Sequence, residues 1–68
     1  MKIRITSAGT ATNLPPEFEL EWPFETAPQV GMSVRFTDPN GNERRGTVDV
    51  VEYDVTLKAV RVNVAVRA

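Results

Sequence analysis

The feature that most constrains this chain is the strict alternation of apolar and polar side chains within short segments. The clearest segment lies near the end of the sequence, where four valines occupy every second position (Val60, Val62, Val64 and Val66). A period of two puts one apolar set on one face of a β-strand, whereas an amphipathic helix needs a period of about 3.6 residues. No segment shows the helical period, so the sequence predicts an all-β fold.

Four other segments alternate in the same way: Lys2–Thr6, Phe18–Glu25, Met32–Thr37 and Arg44–Tyr53. Pro23 cannot donate to a hydrogen-bonded ladder, so the second strand is expected to lie at an edge or to break there. Between the third and fourth strands, the run Asp38-Pro39-Asn40-Gly41 predicts a tight hairpin, because proline presets φ and Asn-Gly tolerates the left-handed region.

Two connections and one irregularity complete the predicted strand map. The inward-facing set of the fourth strand switches at Val50–Val51, from Val48 and Val50 to Val51, Tyr53 and Val55, which predicts a β-bulge. Residues 7–16 are small, polar and proline-terminated and predict a long N-terminal loop, while residues 54–59 favour either a short loop or one helical turn. We therefore expect one domain over residues 1–68, built as a small five-stranded antiparallel barrel or a compact sandwich.

The composition narrows the functional classes. The 68 residues include neither cysteine nor histidine, so we expect no disulfide, no metal and no cofactor, and the fold must depend on its apolar core. The commonest general base and the thiol nucleophile are missing, and the carboxylates of Glu52 and Asp54 are typical of a solvated strand face. We expect the protein not to be an enzyme.

A resemblance to a known group follows from the second half of the chain. The run Gly31-Met32-Ser33-Val34 enters one strand, Gly46-Thr47-Val48 starts the next, and Val60-Arg61-Val62-Asn63-Val64 closes the pattern. Over Val30–Val66 the chain resembles the SH3-like small barrels, in particular the KOW and Tudor-like groups. The resemblance implies a barrel that binds RNA, protein or a modified peptide through its loops.

The aromatic second strand supplies the first candidate site. Trp22 and Phe24 flank Pro23, and aromatic residues are enriched at interface hot spots. Glu19 and Glu21 alternate with them on the opposite face, where they could dock a basic partner or simply keep an edge strand soluble. The same rings could instead belong to the core. We expect Trp22, Phe24, Glu19 and Glu21 to form a protein-binding surface.

Arginines near the hairpin supply an alternative site. Arg44 and Arg45 follow the hairpin tip, and Arg35 is expected across from them on the paired strand. Guanidinium groups suit bidentate contacts with phosphates or carboxylates. The net charge of −1 and the acids Asp38 and Glu43 in the same hairpin argue against strong nucleic-acid binding, because they reduce the attraction to phosphates.

We therefore expect a protein-interaction module that acts by docking on a larger macromolecule. Two settings fit, an accessory subunit of an assembly and a small inhibitor, and a phage-encoded origin suits the size. The alternative is a nucleic-acid-binding barrel that uses the three arginines. No signal peptide and no membrane span is evident, so a cytoplasmic location is expected, or the host cytoplasm for a phage protein. A second copy of the chain is a further candidate partner.

Overall fold

The computed structural model describes residues 1–8 and 17–66 and confirms the all-β prediction. Its five strands are β1 (Lys2–Ala8), β2 (Glu17–Glu21), β3 (Ser33–Thr37), β4 (Glu43–Asp54) and β5 (Ala59–Val66). Most of the predicted N-terminal loop, residues 9–16, lies outside the described residues, while Ser7 and Ala8 extend β1. No helix of the described residues is long and apolar enough to span a bilayer.

The strands form one sheet in the order β2-β1-β5-β4-β3. Three neighbouring pairs are antiparallel, but β1 runs parallel to β5, with Ile3 beside Val60 and Ile5 beside Val62. The prediction of an entirely antiparallel fold was therefore wrong. Alternation fixes which side chains share a face, and that pattern is the same for either strand direction, so the direction of β1 against β5 could not be predicted from it.

The sheet curls into a half-barrel that does not close, which corrects the predicted closed barrel or two-layer sandwich. No Cα atom of β2 lies within 8 Å of a Cα atom of β3, so the two outer strands of the sheet remain edges. The core lies on the concave face. It consists of eight buried side chains from four strands: Ile3, Ile5, Phe18, Val48, Val60, Val62, Val64 and Val66.

The predicted bulge is confirmed and lies at Asp49. Val48 pairs with Val64 and Val50 pairs with Asn63, which leaves Asp49 as the extra residue on β4. Val50 was expected inward, but the extra residue turns it outward, where it is 51% exposed, while Val51 packs against the core as expected. Such a bulge increases the local twist and bend of its strand, and here it helps the sheet to curl.

The end of β4 differs from the sequence interpretation. Tyr53 and Val55 were expected inward, but they are 58% and 84% exposed. Tyr53 pairs with Val60 at the end of the half-barrel. Residues 55–58 form the β4–β5 turn, which lies beyond the core. The turn is stabilised by Asp54, whose carboxylate Oδ1 accepts a 2.9 Å hydrogen bond from the amide of Leu57. The alternation of apolar and polar residues continues along β4 beyond the point where the core ends. Alternation therefore does not predict which of these side chains are buried.

Candidate functional site: the groove between the two edge strands

The concave face opens between β2 and β3 as an apolar groove of about 620 Å³, which we call the edge groove. Its walls carry partly buried apolar side chains that pack around the core: Leu20, Trp22, Met32, Val34 and Phe36. Its floor is formed by core residues of β1 and β5. Because the sheet stops short of closure, this apolar surface faces solvent.

Phe18 and Phe36 bridge the gap between the two edges. Their ring centroids are 5.9 Å apart and their planes are tilted by 44°, a favourable aromatic geometry. Phe18 belongs to β2 and Phe36 to β3, so the contact joins the opposite ends of the sheet through side chains alone. This contact holds the half-barrel curled while leaving the backbone of both edges unpaired.

The hydrogen-bond pattern shows which backbone groups of β2 are free to pair. Met1 and Trp22 exchange both backbone hydrogen bonds, at 2.7 and 3.3 Å. Because bonded and non-bonded pairs alternate along an antiparallel ladder, Leu20 and Phe18 also bond to β1. The amides and carbonyls of the glutamates that alternate with these residues, Glu17, Glu19 and Glu21, therefore point to the open edge.

The backbone hydrogen bonds of β3 alternate in the same way. The amide of Val48 donates to the carbonyl of Met32 at 2.9 Å, and the amide of Asp38 donates to the carbonyl of Asn42 at 2.8 Å. Residues between these two pairs alternate, so Val34 and Phe36 bond to β4. The backbone groups of Ser33, Arg35 and Thr37 point to the open edge. Each wall of the edge groove thus offers three residues for strand pairing.

Trp22 and Phe24 lie at the mouth of the edge groove. The indole of Trp22 is half-buried against the core, and its Nε1 donates a 2.8 Å hydrogen bond to the carbonyl of Thr26. Phe24 is 65% exposed and stands edge-on to Trp22, with centroids 5.2 Å apart. Trp22 is therefore shared between core and surface, whereas Phe24 is a surface ring. As predicted, β2 is an edge strand, and it ends before Pro23.

The charged groups beside β2 are only loosely held. Glu19 lies 3.6 Å from Lys2, and Glu21 lies 3.6 Å from the N-terminal amine, in pairs whose side chains are well exposed. Exposed pairs of this kind contribute at most about 1 kcal/mol, so the two carboxylates can exchange partners at little cost. The acidic residues predicted for binding therefore form a row beside the edge groove.

Glu17, the third acid of this row, is held more firmly. Arg61 of β5 reaches across β1 and donates from Nε to Glu17 at 3.0 Å, while its Nη1 lies 3.5 Å from Glu52 and 3.3 Å from Asp54 of β4. The hydrogen bond with Glu17 is the largest cause of a raised Arg61 pKa. These contacts connect three strands on the convex face and help to fix β2 in place.

The three predicted arginines do not form one site. Arg35 pairs directly with Arg45 in the β3–β4 ladder, and both are exposed on the convex face. Arg44 faces the other way, opposite Phe36, and its Nε donates a 2.9 Å hydrogen bond to the buried Asp38. The structure thus brings Arg35 and Arg45 together and places Arg44 in the hairpin.

Asp38 organises that hairpin. Its Oδ1 accepts hydrogen bonds from the amides of Asn40 and Asn42, both at 2.9 Å, and its Oδ2 accepts from Arg44. Burial raises the pKa of Asp38, but the bonds from Asn42, Arg44 and Asn40 outweigh it and hold the pKa below its usual value. The arrangement is structural and explains why the Asp-Pro-Asn-Gly run forms the predicted turn.

Two features of the surface were not predicted. Met32, Val34 and Phe36 were predicted to lie on the third strand, but nothing in their pattern indicated that they would line an open groove with Leu20. Three further apolar side chains are exposed at or beside the β4–β5 turn: Tyr53, Val55 and Leu57. The sequence hint of this exposed apolar surface was Leu57, a large apolar residue in a segment without regular alternation.

The part of the chain that the structure describes contains no group of three or more acidic, histidine or cysteine side chains placed to hold a metal ion. Neither a family model nor any curated protein or solved structure matches the chain significantly.

Proposed function

We propose that this protein is a non-enzymatic interaction module that docks on a larger protein, as an accessory subunit or a small inhibitor. The observation that supports the proposal is the edge groove, where two unpaired strands flank exposed apolar side chains. Exposed edges are usually protected, since they invite pairing with other chains. An edge beside an apolar groove suits recognition of an extended segment, in which backbone bonds supply affinity and alternate side chains supply specificity.

The charges beside β2 define the segment that would fit. A strand added to β2 places alternate side chains over the groove and the others beside Glu19 and Glu21 on the convex face. The groove favours apolar side chains at the first set of positions, and the carboxylates favour lysine or arginine at the second. The proposed partner segment therefore alternates apolar and basic residues, with Trp22 and Phe24 covering its end.

The SH3-like resemblance is part of this proposal. A resemblance to the KOW and Tudor-like groups implies binding of RNA, protein or a modified peptide through loops, and it covers the segment that contains β3, β4 and β5. Assignment to that group rests on the sequence pattern alone.

A peptide titration tests the proposal. The probe is a synthetic heptapeptide in which lysine and valine alternate, and its control replaces each lysine with glutamate. Trp22 is the only tryptophan of the chain, so its fluorescence reports directly on the edge groove. We expect saturable binding of the lysine peptide, loss of binding in the variant Glu19→Lys with Glu21→Lys, and no response to the glutamate peptide. Equal responses to both peptides would contradict the proposal.

A second experiment concerns the natural partner. Capture from the native host is compared for the wild-type protein, for Phe24→Ser and for Tyr53→Ser, an exposed aromatic substitution outside the groove. We expect Phe24→Ser alone to lose a partner that the lysine–valine peptide displaces from the wild-type protein. Retention by Phe24→Ser of a peptide-displaced partner would remove Phe24 from the site.

One observation favours the nucleic-acid alternative. Arg35 and Arg45 are directly opposed, and Glu43, 3.6 Å from Arg45, balances only one of these two like charges on the convex face. The variant Arg35→Ala with Arg45→Ala separates the two functions in a salt titration. If the double variant binds RNA or DNA more weakly, and its binding depends less steeply on salt concentration, the nucleic-acid alternative is supported and the docking proposal fails.

A further inference from the structure

The opposed pair of Arg35 and Arg45 also raises the question of which strand would pair with β3. Backbone groups of Ser33, Arg35 and Thr37 point to the open edge, and their side chains face the convex surface. A strand added there gains most from a carboxylate opposite Arg35 and apolar residues on either side of it. The described structure contains such a strand, because β2 reads Glu17-Phe18-Glu19-Leu20-Glu21.

We propose that, in the absence of another partner, the edge groove is closed by a second copy of this chain, with β2 of each copy paired to β3 of the other. This inference rests on the proposed function, because it uses the same two edges. A second copy is the expected occupant because its glutamate row is complementary in charge to Arg35.

The register of that pairing follows from the two strands. β2 and β3 each have five residues, and both expose the backbone of their first, third and fifth residues. Antiparallel pairing about the two centres puts Glu19 opposite Arg35 of the second copy as a bonded pair. It also puts Phe18 opposite Phe36 and Leu20 opposite Val34 on the concave side. Charges meet on one face and apolar side chains on the other.

A closed pair of chains gives this match at both of its seams. Within the chain β2 runs antiparallel to β3, as the successive pairings require. A two-fold axis parallel to the strands therefore sets β2 against β3 of the second copy on both sides, and assembly stops at two chains. A two-fold axis across the strands would set β2 against β2, glutamate against glutamate, and β3 against β3. Repulsion between like charges disfavours that alternative.

The test is the molar mass of the full chain in solution, measured by sedimentation across a range of concentrations. We expect a dimer for the wild-type protein, monomers for Glu19→Arg and for Arg35→Glu, and a dimer again when both substitutions are combined in one chain. Glu25→Arg makes the same charge change outside the seam and is expected to remain dimeric. Circular dichroism confirms that each variant is folded.

Each outcome decides the inference. A wild-type monomer at every concentration, a larger open-ended species, or a double variant that stays monomeric would overturn it. The monomeric Arg35→Glu protein keeps Glu19 and Glu21, so its titration with the lysine–valine peptide tests the proposed function separately. A wild-type monomer that binds the peptide would sink the dimer alone, whereas a dimer whose Arg35→Glu form ignores the peptide would sink the docking proposal alone.

Discussion

Phe18 and Phe36 touch across the open side of the sheet, with ring centroids 5.9 Å apart, although their strands lie at its opposite edges. The contact keeps the sheet curled while the backbone of both edge strands remains unpaired. The proposed function depends on the curl and on the unpaired edges.

The first prediction concerns the contact itself. Phe18 is buried, so Phe18→Ala removes core contacts as well as the bridge to Phe36, and we expect it to lower the free energy of unfolding by about 3–5 kcal/mol. Phe24→Ala removes an exposed ring that packs only edge-on against Trp22, and it is expected to lower the free energy of unfolding by about 1 kcal/mol or less. Urea denaturation measures both, and equal losses would show that Phe24 is part of the core.

The second prediction concerns Gly46, where β3, β4 and β5 meet. A Cβ atom at this position would lie 2.5 Å from the backbone carbonyl oxygen of Ala65 and 2.6 Å from Cγ1 of Val64. The carbonyl cannot move without breaking the β4–β5 ladder, so Gly46→Ala is expected to prevent stable folding. Gly41→Ala is the control, because its Cβ meets open space and only the positive φ of 87° is strained, at about 1–2 kcal/mol. Thermal unfolding compares the two, and a Gly46→Ala protein as stable as Gly41→Ala would refute the packing described here.

The third prediction is a pH dependence that arises at Asp38. Because the pKa of its carboxyl group is lowered in the folded state, ionised Asp38 stabilises the fold above the ordinary aspartate range. That stabilisation is lost as the pH falls through the lowered pKa. Asp38→Asn retains an oxygen for the two amides but loses the charge paired with Arg44, so we expect it to be less stable at neutral pH.

The measurement is the free energy of unfolding from neutral pH to below the aspartate range. The difference between wild type and Asp38→Asn should shrink as the pH falls. A difference that is constant over the whole range would mean that the charge of Asp38 contributes nothing.

The fourth prediction concerns the bulge. Deleting Asp49 leaves Val48 inward, Val50 outward and Val51 inward, so every side chain keeps its face. The deletion removes the local bend, and the sheet should open enough to separate Phe18 from Phe36, with a loss of about 0.5–1.5 kcal/mol for the aromatic pair. Nuclear Overhauser effects between the two rings report this directly. A folded deletion variant that keeps them would show that curvature comes from elsewhere.

The parts of the fold that depend on alternation could be predicted from the sequence, and those that depend on direction and closure could not. The valines of β5, the turn at Asp38 and the bulge near Val50 each have a local signal, and the structure confirms all three. The parallel pairing of β1 with β5 has none, because it joins distant segments whose patterns allow either direction.

The candidate site shows the same division. Pro23 indicated an edge at β2, and the register confirms that Arg35 lies opposite Arg45. The orientation of Arg44 depends on its hydrogen bond with Asp38, and the edge groove depends on the distance between β2 and β3. No local sequence pattern encodes either of these features.

Amide hydrogen exchange, followed residue by residue, tests the central claim most directly. In the monomeric Arg35→Glu protein, the amides of Glu19 and Glu21 should exchange freely while that of Leu20, bonded to β1, is protected. Adding the lysine–valine peptide should protect Glu19 and Glu21. If both amides are already protected in the monomer, or stay unprotected when Trp22 fluorescence shows saturation, the edge of β2 is not the docking surface.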